Sequence, residues 1–266
     1  MQITAADIAR DLGLVRRHSP LVHNITNYVV MNSTANALLA VGASPVMAHA
    51  PEEIDDMVAI ASALVINIGT LSEPWVASML QAARQAKKRG IPIVYDPVGA
   101  GATPYRTRTF HLLLQSAPPA VVRGNASEIA AAAGEGPGTR GVDSAAAAES
   151  VLGAAQRLAD THGCTVCVSG ETDHVIGRDG RVRVGNGHPL MAKVTGLGCT
   201  ATALCGAFAA VDPDPFLATV SAMAVMGIAG EIAAERSPGP GTLQVEFLDA
   251  LYCLSDEEIG RRLKIS

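Results

Sequence analysis

The chain has 266 residues, of which 48% are apolar, 17% charged and 3% aromatic. That is enough to bury a sizeable core, and it excludes a disordered, collagen-like or disulfide-scaffold protein. Lys and Arg total 20 against 25 Asp and Glu, a formal net charge of −5, which without a basic cluster argues against nucleic acid or an anionic membrane as partner.

From the first residues onward the pattern is that of a globular α/β chain. Residues 1–11 reach a charge at Asp7 and hold no apolar core of a secretory signal. Short runs at 64–68, 92–96, 120–123 and 165–168 are apolar almost throughout, as in parallel strands covered on both faces. Between the first two, Ser72 can cap a helix over 73–88, with Lys87, Lys88 and Arg89 at its negative end and Gly90 as the stop. Those cations, with Arg84, read as one solvated helix face. Ser144 can cap an Ala-rich helix to His162, and the Gly-rich loop 134–141 precedes it. Over 174–184, Asp179-Gly180 between two β-type runs predicts a hairpin. Three Ala-rich helical stretches follow, at 199–211, 216–235 and 242–254. The apolar run 215–230 falls short of the ~20 residues a membrane span needs and reads as a buried helix. The expected fold is α/β, one domain over 1–266. Its central sheet is mostly parallel, with helices on both faces and a small antiparallel edge hairpin.

Chemistry concentrates at predicted strand ends. Arg123 and Ser169 each close a run beside glycine, Asp96 closes one leading into Pro97-Val98-Gly99, Thr70 follows Gly69, and Asn125 and Glu128 follow Arg123. In open α/β sheets ligands bind beyond those ends. Asp96 and Glu128 suit Mg²⁺, directly or through water, and Arg123 suits phosphate. Taken singly, each has a plainer reading as a helix cap, and Asn125 with Glu128 is a capping box. Thr195-Gly196-Leu197-Gly198-Cys199 runs straight into a helix. Its amides and the helix dipole could form an anion hole, with Cys199 in the first turn where the same potential lowers a thiol pKa. A tight glycine turn followed by a buried cysteine is the alternative. Cys164 and Cys167 have metal-like spacing but face opposite sides of a strand. The five cysteines are odd in number and lack framework spacing, as in a reducing compartment, so the cytoplasm is expected. Met47 reads as core on periodicity alone, and His23 sits in the polar cluster His23-Asn24-Ile25-Thr26-Asn27.

In combination these segments resemble the hydroxyethylthiazole kinase family, thiamine-pathway members of the ribokinase-like superfamily. The matching blocks are SPLVHNITNYVVMNSTANALLAVGASPVM (19–47), LVINIGTL (64–71), YDPVGAGAT (95–103), RGNASEI (123–129), VSGETD (168–173) and VTGLGCTATA (194–203). Sister vitamin kinases usually carry Asp where this chain has Cys199. The resemblance implies a ribokinase-like fold and ATP-dependent phosphorylation of the hydroxyl of 4-methyl-5-(2-hydroxyethyl)thiazole, with Mg²⁺. It implies that Gly196 and Gly198 form the anion hole, with Gly196 also touching the alcohol. Cys199 takes the general-base position, as a weak base or a positioning group. Arg123 and Ser169 contact ATP, Ser169 standing where relatives often have Thr. Asp96 and Glu128 organise the metal, while Met47 and Asn27 line the thiazole pocket. A homotrimer with sites between subunits is also implied, with Asn27 serving a neighbouring chain. A kinase for hydroxymethylpyrimidine or another small alcohol, and a catalytically silent nucleotide-binding relative, are the alternatives.

Overall fold

The apolar runs become inner strands of one eight-stranded sheet. The computed structural model describes residues 3–135, 145–178 and 180–266. Its strands are β1 (Leu21–Ile25), β2 (Ser44–Val46), β3 (Ala63–Asn67), β4 (Ile93–Asp96), β5 (Val121–Asn125), β6 (Thr165–Ser169), β7 (Asp173–Gly177) and β8 (Gly180–Val184). They lie in the order β2-β1-β3-β4-β5-β6-β7-β8. Neighbours pair in parallel through β6, and β7 and β8 pair antiparallel at the edge. The four predicted apolar strands all form, with ends shifted by no more than about two residues. Gly180 pairs with Gly177 as the first residue of β8 rather than sitting in the turn. Asp179, Ser144 and residues 136–141 of the Gly-rich loop lie outside the described residues.

The helices of the first half are α1 (Ala5–His18), α2 (Met31–Val41), α3 (Ile54–Ile60), α4 (Glu73–Arg89), α5 (Pro104–Ser116) and α6 (Ala126–Ala132). The second half adds α7 (Ala145–His162), α8 (Leu197–Ala209), α9 (Pro215–Glu235), α10 (Pro240–Cys253) and α11 (Asp256–Arg262). Period-two alternation sorts the strand side chains between two cores. Val65 faces the layer of α1, α2 and α8–α11, whereas Leu64 and Ile66 face α3–α7. Cys167 and Cys164 divide the same way. Ser72 precedes α4 in extended conformation, but its side chain makes no capping bond, while Gly90 closes the helix at φ +70°.

Helix α9 is apolar all round because protein surrounds it. The helix runs on to Glu235, which corrects the expectation that the run falls short of membrane-spanning length: among the described residues it is the one helix long and apolar enough to cross a membrane, and 89% of its apolar window is buried inside the fold, as expected of a buried helix. Helix α8 lies directly on the sheet. A Cβ at Gly206 would stand 2.5 Å from Val65 Cγ2, so only glycine lets the helix come this close. Strand β1 sits between β2 and β3, which puts the reversal of strand order, and the crevice that goes with it, at the carboxyl ends of β1 and β3.

Candidate active site

The carboxyl ends of β3 and β4 place Asn67 opposite Asp96, and β5 places Arg123 one strand further along. Asp96 is buried and accepts two hydrogen bonds on Oδ2, from Asn67 Nδ2 at 2.7 Å and Thr202 Oγ1 at 2.8 Å. Burial raises its carboxyl to about 7; Arg123 opposes the rise and the charge of Glu128 adds to it. Glu128 closes the capping box with Asn125, Oε2 accepting the Asn125 N–H at 2.9 Å, while Oε1 accepts the Gly99 N–H at 2.9 Å. The helix-cap reading of Glu128 therefore holds, and each of its oxygens keeps further acceptor capacity.

Helix α8 opens beside this pair. Gly196 is its N-cap at φ +87°, where a Cβ would also stand 2.7 Å from Val30 Cγ1. The first-turn amides of Leu197, Gly198 and Cys199 have no intrahelical acceptor and point out of the helix end. Asn27, just past β1, donates from Nδ2 to Asn67 Oδ1 at 3.0 Å and to Cys199 Sγ at 3.5 Å. Backbone N–H groups fix both amides: Gly69 donates to Asn67 Oδ1 at 2.9 Å and Val29 to Asn27 Oδ1 at 3.1 Å. A directed chain thus links Cys199 to Asp96. The thiol differs from expectation. Burial, with the Asp96 charge added, pushes Cys199 up to about 11, outweighing the amide bonds and Arg123. It is a protonated thiol at neutral pH.

On the other side of α8 lies a cavity of about 770 Å³. Arg123, Ser169 and Gly198 line it at the strand ends; Ala201, Met223, Met226 and Gly227 of α8 and α9, with the Gly185–Met191 segment, line the rest. Burial works against the Arg123 charge, and Asp96 and Asp173 hold it in place. Arg123 Nη1 donates to the Gly198 carbonyl at 2.8 Å, tying β5 to the first turn of α8. Its buried Nε has no hydrogen-bond partner among the described residues. Ser169 Oγ donates to the Gly124 carbonyl at 3.2 Å. Asp173, raised to about 6 by burial, accepts the Gly170 N–H at 3.1 Å and also lines the cavity.

Cys199, Asn27 and Asp96 are thus joined in one network, and Arg123, Ser169 and Gly198 share one cavity. Met47 belongs to neither group and makes none of these bonds. It follows β2, half-buried and outside both apolar cores, which corrects its reading as core. His23 helps place that segment: buried, with its pKa lowered by burial, it meets the Ala48 carbonyl through Nε2 at 2.8 Å.

Sequence reasoning missed three residues here. Asn67 lies in an apolar run and Thr202 in an Ala-rich helix. Arg106 of α5 binds the carbonyls of Ile68, Val98 and Gly69, at 3.1, 2.7 and 2.7 Å, and so braces the loops after β3 and β4. For Asn67 the available signal was a lone amide at a strand end, two residues before Gly69.

The family model described as the hydroxyethylthiazole kinase family matches residues 12–257. A hydroxyethylthiazole kinase of Syntrophus aciditrophicus is 61% identical over 266 residues, covering 100% of this chain and 98% of the relative. The solved structure of a hydroxyethylthiazole kinase from Pyrococcus horikoshii superposes with a TM-score of 0.90 at 45% identity, covering 97% of this chain and 98% of that one. A ribokinase-like superfamily protein from Enterococcus faecalis shares the fold alone, with a TM-score of 0.65 at 13% identity over 94% of this chain and 89% of that one. Matched by that family model over residues 12–257 and by the Syntrophus relative along its whole length, the chain belongs to the hydroxyethylthiazole kinase family.

Proposed function

We propose that the chain transfers the γ-phosphoryl group of ATP to the hydroxyl of 4-methyl-5-(2-hydroxyethyl)thiazole, giving the phosphate used in thiamine salvage. The observation that carries this reading is the start of α8, whose free amides stand between the cavity lined by Arg123 and Ser169 and the pair Asn27–Cys199. Phosphoryl transfer needs alignment and charge neutralisation more than covalent help. In this reading the amides of 196–199 and the Arg123 guanidinium receive the charge on the phosphoryl oxygens. The unpartnered Nε of Arg123 fits that role, and the Ser169 hydroxyl reaches a phosphate oxygen by rotating away from the Gly124 carbonyl.

The alcohol lies at Gly196 and Cys199, with Asn27 and Met47 along the thiazole ring. Asn27 already donates to the sulfur, which leaves the thiol hydrogen free to orient the substrate hydroxyl. Among the described residues no cluster of three or more His, Cys, Asp or Glu encloses a bare metal ion. Asp96, with both bonds on Oδ2, and Glu128 instead fit a hydrated Mg²⁺ held through water. Bound there with ATP, the ion would neutralise phosphate charge.

We take 1–266 as one domain, on the support of the single sheet formed by the described residues. Tyr28 and Val29, 63% and 65% exposed beside Asn27, support a homotrimer whose sites are shared between subunits, which light scattering tests. Five free thiols support the cytoplasm. The deciding experiment is ADP release from Mg-ATP with the thiazole alcohol set against hydroxymethylpyrimidine. Equal rates overturn the substrate assignment, and no release with either leaves a silent nucleotide-binding protein.

A further inference from the structure

We infer that Glu231, far along α9 from the reacting groups, is a positioning residue that sets nucleotide affinity by clamping the segment Gly185-Asn186-Gly187-His188 against the cavity. The inference rests on reading that cavity as the nucleotide site. These four residues, with Pro189 and Met191, form one wall of it. The wall has no regular structure before a 3-10 turn at Pro189–Lys193, and Gly187 sits at φ +138°. Its shape therefore has to be imposed from outside.

Three donors converge on a single oxygen to do this. Glu231 Oε1 accepts from Asn186 Nδ2 at 3.2 Å, from the Gly187 N–H at 3.1 Å and from Lys264 Nζ at 2.9 Å. Asn186 is buried, and its side chain is spent entirely on the clamp. Its Nδ2 also donates to the Arg262 carbonyl at 2.8 Å, and its Oδ1 accepts the Lys264 N–H at 2.9 Å. The Gly185 N–H donates to the Lys264 carbonyl at 2.7 Å, so residues 262–264 hold the wall from behind.

The helix face beneath is shaped to receive it. A Cβ at Gly227 would stand 2.6 Å from Asn186, and one at Gly230 would stand 2.1 Å from Met191 Sδ. Gly227 and Glu231 lie one turn apart on the same face, and Met223, Met226 and Gly227 line the cavity itself. The wall, the helix floor and the carboxylate that joins them thus form one unit. Without the carboxylate, the Asn186 amide loses one acceptor, the Gly187 N–H is left unpaired and Lys264 loses its counter-ion.

The test is calorimetric titration of the full chain with a non-hydrolysable ATP analogue and Mg²⁺, alongside the KM of the thiazole alcohol and the thermal midpoint. For Glu231→Ala the nucleotide Kd rises about tenfold, the free-energy scale of a lost hydrogen bond to a charged group, while the alcohol KM stays within about twofold. Glu231→Gln, which keeps an acceptor oxygen, and Lys264→Met, which removes only the ion pair, give smaller rises in the same direction. The inference is overturned if Glu231→Ala lowers the thermal midpoint with Kd unmoved, or if Kd and alcohol KM rise together. Should Glu231→Ala fail to fold, an unchanged Kd in both other variants overturns it as well. A parent chain that binds the analogue but does not phosphorylate the thiazole alcohol defeats the substrate assignment and leaves the clamp standing. A parent that binds no nucleotide defeats both.

Discussion

Replacing Cys199 by serine tests what the thiol contributes. Burial and the neighbouring Asp96 charge push it up to about 11, so at pH 8 roughly one molecule in 10³ carries the thiolate. Reaching that form costs roughly 4 kcal/mol at about 1.36 kcal/mol per pH unit. A general base typically supplies about 10²–10⁴-fold, or roughly 3–5 kcal/mol. The two nearly cancel, so the sulfur offers little as a base near neutrality, and its contribution lies in orienting the hydroxyl beside the α8 amides. Cys199→Ser therefore keeps kcat within about tenfold of the parent, and Cys199→Asp, which places a carboxyl group beside the substrate hydroxyl, stays active. The assay is initial ADP release from Mg-ATP and the thiazole alcohol between about pH 6 and 9. A fall of about 10³-fold or more in Cys199→Ser, together with loss of a parent ionisation near neutral pH, would refute the reasoning.

Other substitutions probe the surrounding frame. Gly196→Ala puts a Cβ at φ +87° and 2.7 Å from Val30 Cγ1; it should cost about 2–3 kcal/mol in urea unfolding and most of the turnover. Because burial lifts Asp96 to about 7, the folded chain holds a proton there that the unfolded chain releases between about pH 4 and 7. That stabilising contribution is complete below pH ~4 and lost as pH rises through ~7. Asp96→Asn should flatten this slope, raising the urea midpoint at pH ~8 relative to pH ~5, while abolishing phosphorylation. Arg123→Lys loses the planar fork that reaches the Gly198 carbonyl, so nucleotide KM should rise about tenfold, measured in the same ADP assay. Asn67→Ala breaks the chain between Asn27 and Asp96; unfolding should show a loss of about 1–3 kcal/mol, with kcat falling more than alcohol KM rises.

The parallel sheet was legible because β3–β6 are apolar on both faces, and the hairpin because two β-type runs lie close together, although Gly180 pairs within β8 rather than turning. Strands β1 and β2 were not. β1 reads LVHNI, with His23 and Asn24 buried among apolar neighbours, and three residues of SPV are too few to show a period. The site was legible where a polar side chain closes an apolar run shortly before a glycine, as at Asp96 and Arg123. It was illegible where the polar residue belongs to a helix whose pattern is Ala-rich, as at Thr202, or where a distant segment folds back, as at Asn186 and Glu231. The direction of the Cys199 shift also escaped sequence reasoning. A helix start can be anticipated from Gly196 and Gly198, but the half-buried setting of Cys199 and a carboxylate nearby are tertiary facts.

The tight seating of Gly206 on Val65 has a practical side. It locks the middle of α8 to the sheet and so determines, two turns away, where residues 196–199 stand. Filling that spot with a methyl in search of better heat tolerance would lever the working end of the helix out of register.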